Sequence, residues 1–401
     1  MFTLSKRLPE FGIQIENVSL NWKRIVDRTQ AIVAECREPK PEHLISHGVY
    51  LVFGDAKFID SHTVRVDDKQ IKANQIIIAT GASLPQLPIR GIEHTITHVD
   101  LLEDRKLPQK LVVFGGGVVA LEFAYLFSRV GVDVSVVVMA GHRILRHYDE
   151  SVRQTVVEYG QNIGIKYYLD AAIEEIREDS HRLTVEIHQN SQVILLTADQ
   201  ILLATGRVPN VDKLGLEKLG IEYDHGGIEV DEYLRTTVPH IWAVGDVRKG
   251  TYHLAQPAVF EARHAARMAL TGDLHPINES IVPFLIGTTP AFAGVGLTEE
   301  QAKEAGLHYF VHFQRASEIC PVAKVKGEPE GFLKMIFDAN TGKILGAHAF
   351  HAMAPEIIQQ IANAMLGGVT LKQLQNNIYM FPGYTQLLMY AVRTRPGDPI
   401  N

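Results

Sequence analysis

The chain has 401 residues, 46% of them hydrophobic and 21% charged, with a formal net charge of −7 and no block of Lys and Arg at either end. That length supports two or three domains around a large buried core, and the charge balance argues against a nucleic-acid or anionic-membrane partner. The opening residues MFTLSKRLPEFG lack an apolar run of signal-peptide length and no stretch approaches a membrane span, so the expected location is the cytoplasm.

Residues 19–38 read as a helix, with Trp22, Ile25, Val26, Ile32 and Val33 along one face. Short strand-like pieces follow at 49–53, 63–66 and 75–78, the last running into Ala79-Thr80-Gly81-Ala82; proline-rich text at 84–91 then leads to a new region. The two cysteines, Cys36 and Cys320, are too far apart in the chain and too few for a disulfide framework or a cysteine zinc site. Of the dispersed histidines only His348 and His351 approach helical ligand spacing, and they lack a carboxylate or cysteine companion, so no metal is expected.

Residues 111–122, LVVFGGGVVALE, organise the middle of the chain. Four apolar residues run into Gly115-Gly116-Gly117, and an apolar-periodic helix over 118–130 follows without another glycine or proline. Gly115 and Gly117 fit the first two places of the dinucleotide fingerprint, and Ala120 takes the third, where close helix packing tolerates alanine. Glycine is required because backbone amides at a helix N-terminus meet a pyrophosphate only when no side chain blocks them. A second apolar run at 132–139, just past Gly131, completes a βαβ unit.

A helix at 151–162 and strand-like text at 165–169, 183–188 and 193–197 come next. Then QILLATGR at 200–207 repeats the earlier QIIIATGA almost residue for residue, pointing to two similar nucleotide-binding domains. HIWAVGD at 240–246 reads as a strand ending in Gly-Asp. Its Asp246 is placed either to accept hydrogen bonds from sugar or ribityl hydroxyls or to cap the helix expected at 257–270. From 281 onward, strands at 294–297, 309–313, 332–337 and 344–350 alternate with helices at 298–305 and 354–366, the texture of a separate α+β domain with surface for an interface.

In chain order, IIIATGASLP, VVFGGGVVALEFA, LLATGRVPN, IWAVGDV, TTPAFAGVGLTEEQA and GFLKMIFDANTGKILGAHAF resemble the motifs of the class I pyridine nucleotide-disulfide oxidoreductases, which include dihydrolipoamide dehydrogenase, glutathione reductase, mercuric reductase and soluble transhydrogenase. The resemblance covers essentially the whole chain. It implies an α/β fold with two Rossmann-like nucleotide-binding domains, the first incomplete, and a C-terminal α+β dimerisation domain forming a homodimer. The expected limits are 1–107 for the remainder of the FAD domain, 108–237 for the NAD(P) domain, 238–278 for the return of the FAD domain, and 279–401 for the interface domain. By the same resemblance the main chain near Ala56, the Thr80-Gly81-Ala82 turn, the Asp246 carboxylate and the His253-Leu254-Ala255-Gln256 turn would contact FAD. Gly115, Gly117, Ala120 and Gly206 would line the pyridine nucleotide, with Glu122 near the nicotinamide. Glu122 also reads as a first-turn acid favoured by the helix dipole. The acid that selects NAD through the ribose 2′-hydroxyl is absent at Val138 or Met139, whereas His142 and Arg143 are placed to meet a 2′-phosphate, which favours NADP over NAD; Arg143 reads equally as a solvated loop charge.

Three departures bear on function. No glycine fingerprint precedes Gly81, so the FAD-binding βαβ unit of the family is expected to be missing, as are the redox cysteine pair and the lysine that follows it. At the C-terminus, Phe381 stands where the family has its catalytic histidine and Gln386 where the orienting glutamate is expected. A phenyl ring cannot shuttle a proton and an amide cannot stabilise an imidazolium, so disulfide reduction by the usual mechanism is not expected. The reading is an FAD-dependent NAD(P)H oxidoreductase, diaphorase- or transhydrogenase-like, that delivers hydride through flavin to a non-disulfide small-molecule acceptor. The alternative is a non-enzymatic, nucleotide-binding dimeric relic or fragment that does not hold FAD.

Overall fold

The computed structural model describes residues 5–393 apart from 6, 38, 180, 181, 320 and 329, so Cys320 lies outside the described residues. The chain divides into two compact units. One comprises the residues up to Lys23, Leu87–Thr205 and those from Ser280 on; the other comprises Arg24–Gln86 and Gly206–Glu279.

Helix α1 (Trp22–Arg37) matches the helix expected over 19–38. Trp22 and Val26, one turn apart, are buried, while Ile25 and Ile32 are exposed. The strand expected at 49–53 does not form: that stretch lies between Gly48 and Gly54, both at positive φ, and Tyr50 and Phe53 point to solvent. Without a ladder partner, apolar character alone does not make a strand. The antiparallel meander starts later, with β1 (Ala56–Asp60), β2 (Thr63–Val66) and β3 (Lys69–Lys72). β3, KQIK, is exposed throughout and has no apolar alternation to betray it. β4 (Ile76–Ile78) pairs in parallel with Ile241–Ala243.

In the first unit, β5 (Lys110–Phe114), helix α2 (Val118–Arg129) and β6 (Asp133–Met139) form the expected βαβ unit, its two strands paired in parallel. Helix α3 (Glu150–Asn162) returns the chain to β7 (Lys166–Asp179). β7 runs ten residues beyond the strand expected to end at Leu169. At Asp170, which has φ +55°, its register shifts; after one more pair with β6, Ala171 with Met139, it pairs antiparallel with β8 (Arg182–Gln189) from Ala172 on. That break in alternation hides the second half of the strand from a periodicity reading. β9 (Gln192–Ala198) and β10 (Gln200–Leu203) complete a six-stranded sheet in the order β9-β8-β7-β6-β5-β10. Its centre is packed by Val112, Phe114, Val137, Ile187 and Ile201.

The second unit resumes with β11 (Ile241–Ala243) and helix α4 (Ala255–Thr271). Among its described residues the only parallel pairing between two strands is β4 with β11, the incomplete nucleotide-binding sheet expected. Phe58, Ile78, Leu214, Leu216 and Ile241 close a core over it.

The C-terminal part of the first unit is an antiparallel sheet of β12 (Phe284–Ile286), β13 (Phe292–Gly296), β14 (Tyr309–Arg315), β15 (Phe332–Asp338) and β16 (Ile344–Phe350), in the order β12-β13-β16-β15-β14. Helices α5 (Glu299–Glu304), α6 (Ala354–Leu366) and α7 (Thr385–Arg393) accompany it. Ile357, Ile358, Ile361, Leu387 and Val392 bury their side chains with Leu333, Met335 and Ala347 of the sheet. His348 therefore sits on a strand and not at helical spacing from His351. Among the described residues no helix is long and apolar enough to cross a membrane.

Candidate nucleotide and flavin sites

The glycine turn after β5 is shaped by its neighbour strand. Gly115 has φ +128°, and a Cβ there would lie 2.1 Å from the Ala204 carbonyl oxygen, so only glycine fits. A Cβ on Gly116 would lie 3.1 Å from Ile144 Cα. Gly117 is the N-cap of α2, carries no side-chain cap, and has nothing within 4 Å of its own Cβ position. The first amides of α2 are thus left open for a pyrophosphate, as a dinucleotide requires. Ala120 is fully buried, consistent with close helix packing at that place.

Beyond β6, residues 140–148 run beside the turn. The Leu145 N–H donates to Gly116 O at 2.8 Å, and the Gly141 N–H donates to the Asp170 carboxylate at 3.0 Å. Val138 is buried and Met139 half-buried, while His142 and Arg143 are exposed. Arg153's hydrogen bond, with a smaller contribution from the Arg143 charge, holds the Glu150 carboxyl below the usual range.

Glu122 corrects one expectation. It lies in the second turn of α2, not the first, and its carboxylate accepts the Gly287 N–H at 2.6 Å. Tyr148 stands with its ring edge-on to Phe284, 4.6 Å between centroids. Burial, with the Glu122 carboxylate, pushes its hydroxyl up to about 12.

Gly206 opens the second unit, at φ +114° with open space around it. That unit holds all the expected flavin contacts. Thr80 donates to Asn210 O at 2.9 Å, Asn210 Nδ2 returns a bond to Thr80 O at 2.9 Å, and the Asn210 N–H reaches Gly81 O at 2.9 Å. Asn210, whose place in the motif LLATGRVPN carries no local signal of a partner, therefore fixes the Thr80-Gly81 turn. Arg207 donates to Ala82 O and stands 3.7 Å from the Asp246 carboxylate. His253 (φ +52°) approaches Asp246 to 3.9 Å. The expected 253–256 turn is in fact a helix entry. Leu254 is the N-cap of α4, and Ala255 and Gln256 are its first residues, two earlier than the expected start at 257. Ala56 is exposed at the head of β1.

At the C-terminus Phe381 is 73% exposed, whereas Gln386 is 1% exposed and its amide oxygen has no hydrogen-bond partner among the described residues. No group of three or more His, Cys, Asp or Glu side chains gathers to hold a metal among the described residues.

The description "Pyridine nucleotide-disulphide oxidoreductase" fits residues 2–262, well over half of the chain. The chain belongs to that family. The family's dimerisation domain matches residues 282–391, so the architecture is a pair of FAD/NAD-binding Rossmann-like domains followed by a dimerisation domain. The family binds FAD and NAD(P). The chain is 32% identical to a mercuric reductase of Bacillus cereus over 98% of its own length, and spans 63% of that protein. It is 30% identical to a dihydrolipoyl dehydrogenase of Bacillus subtilis, covering 99% of this chain and 85% of that protein. In structure it is similar to the HOCl-induced flavoprotein disulfide reductase RclA of Escherichia coli, with TM-score 0.83, 28% identity, and coverage of 93% of this chain and 86% of that one.

The residues present fit a pyridine nucleotide, because the Gly115 cradle excludes any Cβ while the Gly117 end stays open. For flavin, the Asp246 carboxylate and the Thr80-Gly81-Ala82 main chain offer hydrogen-bonding groups within one unit, and Gly81 has nothing within 4 Å. Among the described residues, however, there is no second strand–glycine turn–helix to cradle the flavin pyrophosphate.

Proposed function

We propose that this chain is the nucleotide-handling body of an NAD(P)H-dependent flavoprotein oxidoreductase that serves a non-disulfide, small-molecule acceptor, diaphorase- or transhydrogenase-like. The observation that carries the reading is the glycine turn between β5 and α2, shaped by Ala204 and open at Gly117. In it the turn of Gly115 and Gly117 takes the pyrophosphate, Ala120 lets α2 pack closely behind it, and Glu122 borders the nicotinamide. His142 and Arg143 meet a 2′-phosphate, which favours NADP. Asp246, the Thr80-Gly81-Ala82 turn, the α4 entry at 253–256 and the main chain near Ala56 hold FAD. Bound FAD supplies two-electron acceptor chemistry, and the chain's own task is to bind and orient.

With Phe381 and Gln386 in place of a proton-transferring pair, thiol–disulfide turnover by the usual route has no base at those positions. The match to the dimerisation domain supports a homodimer. Titration with NADPH and NADH, followed by assay of NAD(P)H oxidation with a dye or a second nucleotide as acceptor, tests the reading. A disulfide reductase rate that depends on added thiol chemistry and rivals dye reduction contradicts it.

The two-stranded β4–β11 pairing, with Ile77 exposed, favours a second reading: a nucleotide-binding dimer that holds no flavin. Purified protein that binds NADPH but never FAD supports that alternative.

A further inference from the structure

We propose that Asp149 and Lys334 form a clasp by which the C-terminal sheet positions residues 140–148 and so sets the preference between NADPH and NADH. This rests on the reading of His142 and Arg143 as 2′-phosphate ligands.

These two side chains are carried by a segment held at several points. Its start is tied through Gly141 to Asp170 and its middle through Leu145 to Gly116 O. At its end Tyr148 packs on Phe284 of β12, and Asp149 follows immediately. Asp149 is fully buried and receives bonds from several directions. Lys334 Nζ donates to its two oxygens at 2.9 and 3.1 Å, the Ser151 N–H at 3.1 Å caps α3, and the Glu299 N–H at 3.0 Å belongs to the first turn of α5.

Lys334 is itself buried on β15 and also reaches Glu299 at 2.6 Å. Directly across the ladder stands His348, fully buried, its Nε2 paired with Leu297 O at 3.0 Å. A cation and a carboxylate fixed this way accept only one register between strand β15 and the loop, because either charge left alone in the interior is costly. An apolar pair would hold the same elements with more freedom to slide. The exposed Arg143, four residues before His147 and five before Tyr148, inherits the position that the clasp imposes.

The test uses the full chain and measures dissociation constants for NADPH and NADH by nicotinamide fluorescence, a readout independent of flavin loading. Lys334→Met and Asp149→Asn are expected to weaken NADPH about tenfold while changing NADH less than about twofold, and the double variant to lose no more than either single. Phe284→Leu, which loosens Tyr148 without stranding a charge, is expected to shift the ratio the same way by a smaller factor. It keeps the test decisive where the charge variants fail to fold. Glu299→Gln, which leaves the Asp149–Lys334 bonds in place, is expected to keep the ratio. A ratio of NADPH to NADH affinity unchanged from wild type in folded Lys334→Met, or in Phe284→Leu, overturns the clasp alone. Wild-type protein with no preference overturns the reading of His142 and Arg143, and the clasp with it.

Discussion

Gly115 and Ala204 approach so closely that a single methyl on Gly115 would sit 2.1 Å from the Ala204 carbonyl oxygen. Ala204, just past the parallel strand β10, therefore dictates the residue just past β5, and the turn it enforces aims α2 at whatever phosphate enters.

Two glycine substitutions separate shape from access. Gly115→Ala is expected to cost on the order of 3 kcal/mol, from the clash and from the +128° φ, and to lower the melting temperature while abolishing nucleotide binding. Gly117→Ala has room and an ordinary φ of −85°, so it is expected to melt near wild type. Its added methyl stands at the open amides, so NAD(P)H affinity drops about tenfold. Thermal melts beside fluorescence titrations read both.

Arg143→Ala is expected to weaken NADPH about tenfold and leave NADH unchanged, since a guanidinium–phosphate contact is lost only with the phosphorylated ribose. Equal weakening of both nucleotides contradicts that role.

Gln386→Glu places a carboxylate at a site 1% exposed. At neutral pH the expected loss is on the order of 3 kcal/mol, shrinking as the pH falls and the new side chain takes up a proton. Melting curves at two pH values check the sign. Glutamate at this position destabilises the chain unless a buried partner accompanies it.

Acid sensitivity follows from buried histidines and one buried carboxylate. Burial holds His348 and His351 below their ordinary range, so the unfolded chain takes up protons that the folded chain refuses. The stability these rings contribute is present above about pH 6.5 and is lost as pH falls below it. Asp149 acts lower down. Burial pushes its carboxyl up, but the charge of the His348 ring where that ring is protonated, the Lys334 ammonium and the Glu299 and Ser151 hydrogen bonds hold it at about 2. Its contribution, about 2 kcal/mol, is present above about pH 4 and lost as pH falls toward 2. His348→Asn is expected to flatten the fall in melting temperature between about pH 7 and pH 5.

Much of this was legible from residues alone. The run from Leu111 to Glu122 announced strand, turn and helix, because glycine and apolar periodicity are local signals. The strands at 63–66 and 344–350 were also readable from their apolar pattern. What escaped depends on distant partners. Residues 49–53 are apolar yet find no ladder, β3 pairs without an apolar face, and β7 continues through a bulge at Asp170. Asn210 lies 130 residues from the Thr80 it fixes, and Lys334 lies 185 from Asp149. No local spacing encodes such pairs. Glu122 looked like a dipole partner because sequence gives no view of the Gly287 amide it accepts.

The most direct test is the visible spectrum of the purified chain incubated with FAD and freed of excess, with the bound flavin released and quantified, for wild type and Asp246→Ala. Near-stoichiometric flavin in the wild type, markedly reduced in the variant and reducible by NADPH, is the predicted result. A colourless wild-type protein that binds NADPH alone would contradict the flavoprotein reading.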